Sequence, residues 1–139
     1  MKKEEAIEQG LALVNRSKFA MLGTNGAEGY PNIRAMIKME NEGLKKIWFS
    51  TNTSSKKVTQ LKKIPKACVY FVDFDKWMGL MLVGIIDILQ DPESKQRLWR
   101  EGLEKYYPLG VGDPDYSVLS FTGQWGEYYH GLATITFEL

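Results

Sequence analysis

The sequence has very few of the residues that form disulfides and metal sites. Its 139 residues include one cysteine, Cys68, and one histidine, His130. A single cysteine excludes an intrachain disulfide, and one cysteine with one histidine cannot assemble a zinc or haem site of the usual kinds. Cys68 lies within the apolar run 67–72, which favours a small buried residue over a reactive thiol.

Net charge and long apolar runs are also scarce. The 18 basic residues nearly balance the 17 acidic ones, so no overall field attracts nucleic acid or an anionic membrane, and any anion-binding site must be local. The longest apolar stretch, Trp77–Ile86, is about half of what a bilayer crossing needs. The charged segment 1–5 does not resemble a signal peptide. We therefore expect a cytoplasmic protein without nucleic-acid or membrane partners.

Several common catalytic motifs are missing. There is no Walker loop, and no glycine fingerprint opens a helix after a strand. The glycines at 110 and 112 precede Asp113-Pro114, where a turn is the better interpretation, and Asp113 and Asp115 are expected to cap or turn the chain. The residues alone therefore assign no metal ligand and no catalytic group.

The hydrophobic periodicity predicts one mainly β domain over residues 1–139. Hydrophobic residues make up 44% and charged residues 25%, as in ordinary soluble domains. Helices are predicted at 4–16, at about 54–63, and from Asp91 to about 102. Strands are predicted at 18–24, 30–39, 44–51, 66–73, 79–89, about 116–128 and 132–138, with turns at 25–29 and 41–43.

Two of these strands, 66–73 and 79–89, are apolar on both faces. A water-facing antiparallel sheet would alternate apolar and polar residues, so one face must fill a barrel while helices or a second subunit cover the other. A homodimer is the expected solution.

The second strand shows a clearer alternation. Its period of two predicts one set of side chains in the barrel core and a second set, with two cations about 13 Å apart, on the opposite face. The predicted core set is Ile33, Ala35, Ile37 and Met39, and the opposite set is Asn32, Arg34, Met36 and Lys38.

Hydroxyl groups and lysines meet where the third strand leads into the second helix. Ser50-Thr51 ends the strand, and Ser55-Lys56-Lys57 opens the helix, whose N-terminus favours an anion. A bound phosphate would account for lysines in this unfavourable position. A plain Ser-capped helix with exposed lysines is the alternative, and these residues alone do not decide between them.

From Phe19 to Tyr129 the sequence resembles the FMN-binding split barrels of the pyridoxamine 5'-phosphate oxidase-like superfamily, in its general stress protein branch. No single segment is specific, but their order and spacing together are. The segments are 19–24, 29–31, 34–36, 47–51, 55–57, 83–84, 98–99, 112–116 and 127–129.

The resemblance implies a six- to seven-stranded antiparallel split β-barrel with flanking helices, with FMN at the interface of a homodimer. It also implies that Trp125 or Trp99 lies against the flavin of the partner subunit, although either could equally be core. The implied FMN-binding residues of the chain itself are Arg34, Ala35 and Met36 on the second strand, Ser50 and Thr51 on the third, and Ser55, Lys56 and Lys57 at the helix start.

Two departures bear on the reaction. Gly79 stands near the place of a flavin-binding glutamine of the true oxidases, and no arginine follows Arg100 to hold pyridoxal phosphate. The expected function is therefore an FMN-dependent oxidoreductase of unknown substrate, acting on a small molecule or NAD(P)H, rather than vitamin B6 oxidation. The alternatives are a stress-related flavin-binding protein without turnover, or a split barrel that uses haem or a deazaflavin.

Overall fold

We analysed a computed structural model of the chain, which describes residues 1–139. None of its helices combines the length and apolar character needed to span a bilayer. The helices are α1 (Lys3–Arg16), α2 (Lys56–Lys63) and α3 (Pro92–Leu98), with short 3₁₀ helices at Leu103–Lys105 and Gly110–Gly112. The strands are β1 (Phe19–Asn25), β2 (Pro31–Glu42), β3 (Lys46–Asn52), β4 (Lys66–Asp73), β5 (Met78–Leu89), β6 (Tyr116–His130) and β7 (Ala133–Glu138).

The seven strands form one antiparallel sheet that closes on itself. Their order is β3-β2-β1-β4-β5-β6-β7, and a further pairing of β3 with β6 closes the first six strands into a barrel. The strand β7 extends the sheet beyond β6. This arrangement confirms the predicted mainly β split barrel with flanking helices.

Two predicted boundaries were wrong. The turn predicted at 41–43 lies later, because β2 continues to Glu42 and Gly43 takes the positive φ of 58° that reverses the chain. The helix predicted to reach about 102 ends at Leu98, because Trp99 adopts an extended conformation and packs into a small core.

The barrel core is built from the inward side chains of the strands, with α1 packed against it. Val69 and Phe71 on β4 and Leu80 and Leu82 on β5 are almost fully buried. A smaller second core, which includes Trp48, Leu98, Leu103, Tyr107, Tyr116 and Val118, attaches the segment after α3 to the barrel.

The prediction for the two faces of β2 was wrong. Ile33 and Ile37 are 69% and 48% exposed, whereas Met36 is buried and Arg34 and Lys38 are half-buried on the inner side. Register with β1 is the cause: Met36 lies opposite Ala20, which faces the core. The inner side of β2 therefore carries two cations, whose stems pack among apolar groups while their heads reach polar partners.

The inversion leaves an apolar surface on the outside of the barrel. Ile37 lies opposite Phe19, and Ala35 lies opposite Met21, so exposed apolar side chains stand next to one another across β1 and β2. We call Phe19, Met21, Ile33, Ala35 and Ile37 the outer patch. The patch lies on β1 and β2, whereas the sequence argument for a second subunit rested on the strands at 66–73 and 79–89.

The pairing of β5 with β6 is irregular opposite Gly84, where β6 carries one extra residue, Gln124. The register of β5 against β6 shifts between Val83 and Gly84, where a Cβ on Gly84 would lie 2.0 Å from the Thr122 carbonyl oxygen. We expect Gly84→Ala to lower the free energy of unfolding of the ligand-free protein by about 1–3 kcal/mol or more. Gly112→Ala is the matched control, because a Cβ there meets nothing within 4 Å, and it should change stability by less than about 0.5 kcal/mol. Similar denaturant midpoints for the two variants would contradict the prediction.

Candidate functional site

The strand β2 has a free edge. Its pairing with β3 covers only Lys38–Glu42, whereas residues 31–37 pair with β1 and have no partner strand on the other side. Backbone groups along this part of β2 are therefore left without a neighbouring strand. A cavity of about 510 Å³ lies beside this edge, lined by residues 35–39 of β2, 50–52 of β3, Lys57 of α2, and Arg100, Leu103, Tyr106 and Tyr107.

The loop before α2 is held in place by Asp115. Its carboxylate accepts hydrogen bonds from the Ser54 backbone N–H at 2.8 Å and the Asn52 side-chain amide at 2.9 Å, which lower the pKa of Asp115. Asp113 likewise accepts from the backbone N–H groups of Leu109 and Asp115. Both aspartates therefore serve as turn residues, as the sequence predicts.

Two hydroxyl groups lie at the start of α2. Ser55 occupies the N-cap position but its side chain makes no capping hydrogen bond. Its Oγ lies 3.5 Å from the Oγ1 of Thr51, which is buried. The usual role of a serine at this position is to satisfy a helix N–H group, so the Ser55 hydroxyl here is available for another partner.

Lys57 places a cation beside these hydroxyls. Its Nζ donates a hydrogen bond to Thr51 Oγ1 at 3.0 Å, and the side chain is half-buried. Burial and the nearby Arg34 guanidinium, in that order, lower the pKa of Lys57. Keeping the Lys57 ammonium group charged in this position therefore costs free energy, and a bound anion would offset that cost.

Arg34 supplies the second cation of this cluster. Its Nη1 donates to the Leu22 carbonyl at 3.0 Å and to Thr24 Oγ1 at 2.8 Å, and its Nη2 donates to Gln60 Oε1 at 3.4 Å. All of these acceptors are neutral, and burial lowers the pKa of Arg34. None of the three ion pairs of the chain involves Arg34 or Lys57. Two neighbouring cations thus lie in the fold without a carboxylate.

The remaining predicted residues lie in different places. Ala35, Met36 and Ser50 line the cavity with Thr51 and Lys57. Lys56 is exposed and lines separate grooves on the other side of α2.

Neither tryptophan proposed for the flavin lines the cavity of its own chain. Trp125 lies on β6 between Val83 and Glu138 of the neighbouring strands. Trp99 packs against Tyr116, with ring centroids 5.3 Å apart.

Sequence reasoning missed one wall of the cavity. Arg100, Leu103, Tyr106 and Tyr107 come from the segment after α3, which the sequence analysis treated as helix end and loop. The adjacent tyrosines, between glycines at 102 and 110 that both adopt positive φ, are the signal that could have indicated an ordered wall.

Comparisons with known proteins agree on the family. The family model for pyridoxamine 5'-phosphate oxidase matches residues 6–130. A Clostridium acetobutylicum protein, related to general stress protein 26 of B. subtilis and described as of the pyridoxinephosphate oxidase family, is 54% identical over 99% of this chain and 97% of its own, with a TM-score of 0.91.

More distant structures share the fold. General stress protein 26 from Bacillus anthracis is 19% identical, with a TM-score of 0.80 over 96% of this chain and 98% of its own. A haem-binding protein from Mycobacterium smegmatis is 16% identical, with a TM-score of 0.79 over 99% of this chain and 60% of its own. Among curated proteins, none matches. On the family model and the 54% identical structure, the chain belongs to the pyridoxamine 5'-phosphate oxidase family.

Proposed function

We propose that the chain binds FMN in the cavity beside β2, as a homodimer, and acts as an oxidoreductase on a small molecule. The observation that carries the proposal is the pair of half-buried cations, Arg34 and Lys57, without a carboxylate partner and next to the hydroxyls of Thr51 and Ser55. A phosphate dianion matches this donor set in charge and in hydrogen bonding.

The rest of the cavity suits a molecule with a long apolar part and polar edges. The free edge of β2 along Ala35 and Met36 offers backbone donors and acceptors to ring heteroatoms. Met39, Leu103 and Tyr107 supply apolar and aromatic surface nearby. When bound, FMN would supply the redox chemistry, while these residues bind and orient it.

The positions of cysteine and histidine bear on the choice between FMN and haem. No cysteine or histidine lines the cavity, and His130 lies at the end of β6, where its Nδ1 is 3.2 Å from Gln9 Oε1. Histidine and cysteine are therefore absent from the cavity, although methionine and tyrosine, which ligate haem in some proteins, line it at Met36, Met39, Tyr106 and Tyr107. A visible absorption spectrum of the purified protein after incubation with FMN, compared with haem, tests the assignment directly.

A flavin-binding role without turnover is the second candidate. No aspartate, glutamate, cysteine or histidine lines the cavity, so the chain places no carboxylate, thiol or imidazole there. Flavin chemistry does not require one, because the cofactor itself carries the redox step. If the bound flavin, once reduced, reoxidises with candidate acceptors no faster than free FMN does, the non-catalytic role is favoured.

The homodimer is argued from the outer patch. Its members form a continuous apolar area on one side of β1 and β2, and exposed apolar patches of this kind mark contact surfaces. A two-fold contact buries the same area on both subunits. Trp125 lies on the half-exposed side of β6, so it is the aromatic side chain proposed to reach the cavity of the partner subunit.

The first prediction of this proposal concerns the phosphate. Lys57→Ala should weaken FMN binding by about 1.5–3 kcal/mol, the range for a hydrogen bond to a charged group. Riboflavin, which lacks the phosphate, should bind weakly and respond little to the change. Lys63→Ala, on the exposed end of the same helix, is the matched control and should leave both affinities unchanged. Equal losses for FMN and riboflavin in Lys57→Ala would show that the phosphate lies elsewhere. Fluorescence titration of FMN and riboflavin into wild type and both variants measures all six affinities.

The second prediction concerns stability without ligand. Burial and Arg34 lower the pKa of Lys57, so its charged form destabilises the ligand-free fold. Lys57→Met should therefore raise the thermal midpoint of the FMN-free protein at neutral pH, although it weakens FMN binding. The gain in thermal midpoint should shrink as the pH rises from the lowered pKa of Lys57 towards the ordinary lysine value of about 10.4. Above that value the wild-type side chain is neutral in both the folded and the unfolded state. Lys63→Met should give no gain, and a midpoint for Lys57→Met below that control would contradict the argument.

The third prediction concerns assembly. We expect sedimentation at micromolar protein to show a dimer that FMN stabilises, because a ligand that binds the assembled form shifts the equilibrium towards it. Ile37→Lys places a charge in the outer patch and should favour the monomer. Ile64→Lys is the control, because Ile64 is also exposed but lies just after α2, away from the outer patch. A monomer that holds FMN stoichiometrically would overturn the interface site and leave the FMN assignment standing.

A further inference from the structure

Besides Lys57 and Lys38, the cavity is lined by a third cation, Arg100, whereas Arg34 lies beside Lys57 outside the lining. Arg34 stands at the α2 end of β2, whereas Glu40, six residues further along the same strand, contacts Arg100. Six residues of strand span roughly 17–20 Å when the irregularity between Lys38 and Glu40 is allowed for, so Arg100 lies towards the opposite end of β2 from Arg34. Arg100 also lines the cavity itself.

The charge at this far end is not balanced. Glu40 Oε1 accepts a hydrogen bond from Arg97 Nη2 at 2.8 Å, while Glu40 Oε2 lies 3.7 Å from Arg100 Nη2. One carboxylate therefore faces two guanidinium groups, and the shorter contact goes to Arg97, which also lies over the Trp48 ring at 4.5 Å. Arg100 retains the larger share of uncompensated charge, and no aspartate or glutamate lines the cavity to supply the rest.

The Arg100 side chain is also oriented. Its Nη1 donates hydrogen bonds to the Arg97 and Trp99 carbonyl oxygens, both at 3.0 Å, at the end of α3. These contacts occupy Nη1, while the side chain as a whole is 49% exposed, so Nη2 and Nε stay open to an external acceptor. A planar guanidinium fixed in this way suits a carboxylate, which it can bind through two hydrogen bonds.

The surface next to Arg100 carries an exposed aromatic ring, Tyr106, which is inclined by 63° to the neighbouring ring of Tyr107. Leu103, Tyr106 and Tyr107 continue the cavity wall from Arg100. Tyr107 is buried in the small second core, which holds this wall in place, whereas Tyr106 is 55% exposed. Aromatic side chains of this kind present a face to another planar ring.

We infer that Arg100 binds the anionic group of the substrate and that the substrate belongs to the class of small planar aromatic carboxylates. The inference rests on the proposed function, because it assigns the Arg34 and Lys57 end to the FMN phosphate and leaves the Arg100 end for the second reactant. It adds a specificity residue and a substrate class to that function.

The test uses benzoate as the anionic probe and benzamide as its neutral analogue of similar shape. Both are titrated calorimetrically into FMN-free and FMN-saturated protein. Wild-type protein should prefer benzoate by about tenfold or more when FMN is bound, the lower end of the range for a hydrogen bond to a charged group. Arg100→Gln should abolish this preference, and Arg100→Lys should retain part of it.

Two further variants separate recognition from a structural role of Arg100. Arg16→Gln removes the same charge at a remote ion pair with Asp73 and should leave the preference intact. Glu40→Gln removes the competing carboxylate and should strengthen benzoate binding, whereas a purely structural ion pair would only lose stability. The Glu40 variant therefore decides the question even if Arg100→Gln fails to fold.

Three results would overturn the inference. The first is equal binding of benzoate and benzamide by wild-type protein with and without FMN. The second is an unchanged preference in folded Arg100→Gln, or unchanged benzoate binding in Glu40→Gln. The third is a preference that disappears in Lys57→Gln but persists in Arg100→Gln, which would place the anion at the other end. Failure to bind FMN at all would instead count against the proposed function, and the FMN-free titration would then decide the role of Arg100.

Discussion

The incomplete pairing of β2 with β3 is the constraint on which the site depends. The two strands pair only from Lys38 onwards, so the first half of β2 keeps one edge free while its other edge is fixed by β1. Because β3 also pairs with β6, the barrel closes despite this gap. The gap is therefore a stable feature of a closed sheet, and the end of β3, the start of α2 and the wall after α3 all surround it.

The same region shows how the fold tolerates unpaired charge. Arg34 is held by a backbone carbonyl, Thr24 and Gln60, and the buried Gln60 is in turn fixed by Asn32. These neutral acceptors satisfy the N–H groups of the guanidinium without neutralising its charge. Lys57 is held similarly by Thr51. Such an arrangement lowers the stability of the ligand-free chain and favours binding of an anion, which is the expected compromise at a functional site.

Much of the fold and part of the site could be predicted from the sequence. The order of strands and helices followed from periodicity and turn residues, and the grouping of Ser55, Lys57 and Thr51 followed from a helix that starts directly after a strand. Alternation alone could not predict which face of β2 points into the barrel. The apolar side chains of β2 face outwards and its cations face inwards, and only the register against β1 decides between the two faces. Lys56 was grouped with Lys57 by adjacency, but successive helical residues point about 100° apart, and Lys56 lies on the other side of α2. The implied roles of these residues towards FMN stay predictions.

The outer patch and the cavity are physically connected, and in the proposed FMN-binding homodimer this connection would relate assembly to function. Ala35 and Ile37 belong to the outer patch and also line the cavity, because the free edge of β2 lies between the two. A second subunit packed on the outer patch would therefore approach the open side of the cavity and restrict water there. Exclusion of water strengthens the interaction of Lys57 and Arg34 with a bound phosphate, since charges attract more strongly in a medium of lower dielectric constant. Anion binding and dimer formation should thus favour each other, although the cations and the apolar residues lie on opposite faces of one strand.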